Sequence, residues 1–171
     1  MSFIKQKIHI EYILAWLLRL FLFVLPWPTI WLYREVYING YKWEYGTLGF
    51  YATEGLLWVS VVLFLIWFFK KRQLEIKNWK LEISKDRVFV ASVLLFTVYV
   101  LLSSFWAIDH DIAWQQGIHI MEACLLFFML SLGPLRAKSV AKWFVGGMAV
   151  QSVLALYQFL TQSTFAFKWL G

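Results

Sequence analysis

Seven basic residues fall in one polar stretch, Lys70 to Arg87, between two long apolar runs. Lys70, Lys71 and Arg72 follow Phe68-Phe69 directly, and Lys77, Lys80, Lys85 and Arg87 precede Val88. An apolar run of about twenty residues is long enough, as a helix, to cross a hydrocarbon core of ~30 Å. Short loops rich in Lys and Arg stay in the cytoplasm. The pattern therefore predicts two membrane-spanning helices joined on the cytoplasmic side, which fixes compartment and orientation together.

The rest of the chain follows the same plan. Charged residues make up 15% of it, against roughly 25% in an average soluble domain. The apolar excess falls in bilayer-length blocks and lacks the strict alternation of a transmembrane β-barrel. The expected class is all-α: one polytopic helical membrane domain over residues 1–171, with about five transmembrane helices. The spans fall at about 12–32, 50–69, 88–106, 117–135 and 143–160. The first has a basic lead, Lys5 and Lys7, but is too long for a signal peptide and is followed by Pro26-Trp27-Pro28 rather than a small-residue cleavage site. Those prolines should bend or end the helix. Residues 34–49 read as a short connecting loop. Twelve basic residues fall in the loops of one side and three (Arg34, Lys42, Lys168) on the other, giving an N-in/C-out arrangement.

The formal charge of +6 is accounted for by these topological loops and implies no nucleic-acid partner. The single Cys124 lies in an apolar run, so no intramolecular disulfide forms, and it reads as a small buried hydrophobe.

Ionisable residues within apolar spans are costly, so each raises a functional question. Arg19 lies near the inner end of the first span, where it can snorkel. Glu54 and Glu122 are expected within two turns of the outer ends of their helices. His119 precedes Glu122 by three residues and shares its helix face. Asp109, His110 and Asp111 lie in the adjacent turn, with Arg34 and Lys42 on the same side. Three readings compete: interfacial groups that fix helix ends, a polar vestibule for a charged or sugar-bearing lipid head group, and a metal or proton path. No nucleophile elbow, P-loop, dinucleotide-binding turn or zinc-protease motif is present. In the fifth span Gly146, Gly147, Ala149, Ser152 and Ala155 form a small-residue face suited to close helix approach, and Gln151 and Gln158 call for polar partners.

Leu102-Ser103-Ser104-Phe105-Trp106-Ala107-Ile108-Asp109, followed by Ala113, resembles the Ser-x-x-Trp-(Ser/Ala)-x-Asp turn near the front of the bacterial O-antigen ligase and O-antigen polymerase superfamily. Val150 to Gln158 is similar to a later helix of such proteins. The resemblance spans about 88–164. It implies an inner-membrane protein that moves a glycan from an undecaprenyl-diphosphate carrier to an acceptor on the outer face, without metal or nucleotide cofactor. The family's functional Arg and His residues lie in a large periplasmic loop and later spans, and nothing here matches them. The expectation is an amino-terminal part that lacks catalytic residues and needs further helices or a partner membrane protein. Candidate substrate contacts are Arg34, Lys42, Glu54, Asp109, His119 and Glu122, with no metal ligand set assigned. The matched residues Ser104, Trp106, Asp109 and Ala113 read as a structural turn. The alternative is a complete small membrane protein acting as an assembly partner or transporter subunit.

Overall fold

A computed structural model describes residues 2–27, 29–43, 46–74 and 87–162. Most of these are helical: α1 Ser2–Val24, α2 Ala52–Leu74, α3 Arg87–Ser103, α4 His110–Leu132 and α5 Ala137–Thr161. Among the described residues, four stretches, Ala52–Lys71, Val88–Trp106, His110–Leu132 and Ala137–Thr161, are long and apolar enough to cross a membrane. That is the pattern of a multi-pass helical membrane protein. Residues 75–86, which hold much of the basic hinge, lie outside the described residues, as does Lys168.

The first expected span is not one helix. α1 stops at Val24 and a turn at Leu25-Pro26 follows. Proline lacks the N–H that would continue the ladder. Ile30–Arg34 is instead a strand, β1. α1 also carries Lys7, Glu11 and Arg19 in its sequence and is not among the four apolar stretches. The Arg19 guanidinium lies 5.2 Å from the Trp16 ring centre, a cation–π contact.

Part of the expected loop at 34–49 is sheet, so short strands join a mostly helical fold. β2 (Tyr37–Ile38) and β3 (Tyr41–Lys42) form an inner antiparallel hairpin. Its turn is Asn39-Gly40 with φ of 52° and 83°, the pairing that left-handed hairpin turns require. Around it, β1 pairs with β4 (Leu48–Tyr51), matching Ile30 with Tyr51 and Trp31 with Phe50, with a bulge between Leu32 and Arg34. β4 runs straight into α2. The chain between α1 and α2 thus folds as a nested double hairpin, satisfying backbone groups that an open loop would leave to water.

The core is a seam between α1, α2 and α4. Leu14, Leu18, Phe21 and Leu22 on α1 meet Leu57, Val61, Phe64 and Trp67 on α2, with Met129 from α4. Both series repeat at three- and four-residue spacing, one face of each helix. α5 packs on the opposite side of α1, and α3 packs on α4. The α1–α5 approach is close: a Cβ on Gly147 would run into the Phe23 carbonyl oxygen. Trp143 sits edge-on to both Trp16 and Phe23. At this level the small-residue face of α5 is therefore filled by α1.

Candidate functional site

α4 begins at His110 because Asp109 caps it. The Asp109 carboxylate accepts hydrogen bonds from the backbone N–H groups of Asp111 and Ile112, each at 3.1 Å, satisfying donors that have no partner inside the helix. Ahead of it, Ser104–Trp106 forms a short 3₁₀ turn at the end of α3. The buried Ser104 hydroxyl lies 3.2 Å from the Ala113 carbonyl oxygen, to which it donates, and the His110 Nδ1–H donates to the Ser104 carbonyl at 2.8 Å. The Ala113 N–H donates to the Asp109 carbonyl at 3.1 Å. Residues 104–113 therefore form one hydrogen-bonded corner that sets α4 against α3. Trp106 is exposed on it.

Because α4 starts seven residues before the expected span, Glu122 lies deeper than the sequence reading places it. Twelve residues separate it from His110 and ten from Leu132, about 18 Å and 15 Å along the axis. It sits near mid-helix rather than at an end.

There α2 and α4 meet through polar groups. His119 Nε2 lies 3.1 Å from Glu54 Oε1. Trp58 Nε1–H donates to Glu122 Oε1 at 2.7 Å. Glu54 and Trp58 are four residues apart on α2, His119 and Glu122 three apart on α4, so each pair projects from one face. One turn earlier on α4, Gln115 Nε2 donates to the Gly49 carbonyl at 2.6 Å and ties the helix to β4. Glu122 is buried at 6% exposure. The Tyr51 ring packs edge-on against His119. Beside these groups is an open-sided cavity of about 280 Å³, lined by Phe21, Leu25, Tyr51, Leu57 and Leu126 as well as the three ionisable residues.

No protein family, curated protein or solved structure matches the chain.

The six sequence candidates separate into four groups. Glu54, His119 and Glu122 come together. Arg34 instead pairs with Asp111 at 2.5 Å across the first turn of α4. Both partners are exposed, so the pair is worth about 0–1 kcal/mol. Lys42 pairs with Glu35 at 2.7 Å within the hairpin layer, and Asp109 is spent on its cap. The Lys42 and Tyr37 hydrogen bonds hold the Glu35 carboxyl below the usual carboxylate range, and the same bond raises the Tyr37 phenol. Arg34 and Lys42 thus meet carboxylates other than the two glutamates. Sequence reasoning missed Trp58, Gln115 and Tyr51. Gln115, His119 and Glu122 recur at intervals of four and three, a stripe visible in the sequence. Trp58 follows Glu54 by one helical turn.

Proposed function

We propose that the chain is the amino-terminal membrane part of an O-antigen ligase/polymerase-like protein of the bacterial inner membrane. In this reading its hairpin end faces outward and handles a glycan carried on undecaprenyl diphosphate. The observation that carries the reading is the corner at 104–113. Three of the four matched residues, Ser104, Asp109 and Ala113, bond to one another within this corner, and the fourth, Trp106, stands exposed on it. The helix set by that corner brings His119 and Glu122 to Glu54 beside a cavity with apolar walls. A polyprenyl chain suits such walls, while the sugar end needs polar groups near the membrane surface. The excess of basic residues in the loops at the other end supports the outward orientation. Transfer chemistry is not assigned to any residue here. In the family it belongs to motifs that this sequence does not show.

The test is a photo-crosslinking residue at Tyr51, which lines the cavity, in a bacterium making lipid-linked O-antigen glycan. The expected result is an adduct carrying the glycan, lost when synthesis of the carrier is blocked. Equal crosslinking from the same probe at Lys138, the exposed start of α5, would count against it.

A further inference from the structure

We propose that Glu54, His119 and Glu122 bind one divalent transition-metal cation of the Zn²⁺ class, which staples α2 to α4. The inference rests on the geometry of this cluster and is independent of the glycan-handling reading.

Three ligand types suited to such an ion converge: one imidazole nitrogen and two carboxylates. One donor atom from each lies within 4.8 Å of the other two. Ligands on a tetrahedral ion with bonds of ~2.0–2.1 Å stand about 3.3 Å apart. The His119–Glu54 separation of 3.1 Å is already close to that, so Glu122 needs only a side-chain adjustment. The donors come from two helices that other contacts already hold in place. Gln115 pins α4 to β4, and Leu57 and Met129 belong to one core.

Charge gives the second argument. Glu54, in the first turn of α2 with its side chain 12% exposed, and Glu122, near the middle of α4 at 6%, repel one another and lose hydration. Among the described residues no Lys or Arg bonds to either: Arg34 goes to Asp111 and Lys42 to Glu35. A divalent ion supplies the missing two positive charges with the imidazole neutral. Trp58 fills an outer role by donating to Glu122 Oε1. That orients the carboxylate and leaves its second oxygen available, the kind of support that ligating groups carry. The adjoining cavity gives the ion a route in and room for a fourth, water ligand.

The experiment uses the whole chain, purified in detergent with Cys124→Ser so that the thiol cannot contribute. After exposure to Zn²⁺ and dialysis, metal analysis should return one equivalent. Co²⁺ should give the intense visible bands of a four-coordinate N/O site. Glu54→Gln and His119→Gln should each weaken binding by about tenfold or more, whereas His110→Gln, the other imidazole on α4, should not. Zn²⁺ should also raise the thermal midpoint of the parent chain and leave that of His119→Gln unmoved. A folded parent chain, checked by its helical circular dichroism, that takes up no Zn²⁺ saturably overturns the proposal. So does uptake that Glu54→Gln and His119→Gln leave unchanged.

Discussion

Replacing Gly147 with leucine will separate α5 from α1 and destabilise the bundle by about 3 kcal/mol, the upper end of overpacking penalties. The first added atom already meets the Phe23 carbonyl oxygen. A backbone carbonyl cannot rotate aside as a flexible side chain would, so the helices must part. Parting them also disrupts the edge-on contacts of Trp143 with Trp16 and Phe23. Gly146 is the matched control. A Cβ there would stand 3.9 Å from the Phe23 ring, ordinary van der Waals contact, so Gly146→Ala should be neutral or stabilising by up to about 1 kcal/mol, alanine being the better helix former. Thermal unfolding in detergent of the two variants against the parent checks both. Equal behaviour at the two positions would mean that α5 does not dock on α1 through Gly147.

Trp58→Phe is expected to have the next largest effect. A six-membered aromatic ring is kept, while the five-membered half of the indole is removed together with its N–H. Glu122, at 6% exposure, then loses the donor that holds Oε1. A buried acceptor left unpaired costs about 1–3 kcal/mol. Removing both partners should restore most of that loss, since an apolar pair leaves nothing unsatisfied. The double variant Trp58→Phe with Glu122→Leu should therefore be more stable than Trp58→Phe alone. Unfolding measured with a chelator present keeps metal out of the comparison. A double variant that loses the sum of the two single effects would show that the two side chains act independently.

Much of this architecture is written in local signals, and the errors have local causes. The apolar stretches at 52–71 and 88–106 stand out because hydropathy is continuous over bilayer length. The double hairpin reads as loop in the sequence because its strands are only two to five residues long. Asn39-Gly40, between Tyr37-Ile38 and Tyr41-Lys42, is nevertheless a strong hairpin signal. The expected start of α4 falls too late because Asp109, His110 and Asp111 look like a polar turn. Read as an N-cap followed by an acidic first turn, the same residues start the helix.

That one shift moves Glu122 from the end of its helix to the middle. Which helix the Glu54 face meets was not legible at all. Hydropathy sets lengths, while the neighbour of each face is decided by packing among five helices and the sheet layer. The small-residue stripe on α5 shows the same limit: its pattern announces close contact, and only the fold assigns that contact at Gly147 to α1.

Everything proposed for the glycan depends on the hairpin end of the bundle lying outside the cytoplasmic membrane. In a Cys124→Ala background, Tyr41→Cys places a thiol on the hairpin, where Tyr41 is 81% exposed. Lys138→Cys places one at the exposed start of α5. Treatment of intact spheroplasts with a membrane-impermeant maleimide should label Tyr41→Cys at once and Lys138→Cys only after lysis. Labelling of Lys138→Cys in intact spheroplasts, with Tyr41→Cys protected until lysis, would put the hairpin in the cytoplasm and contradict the proposed function.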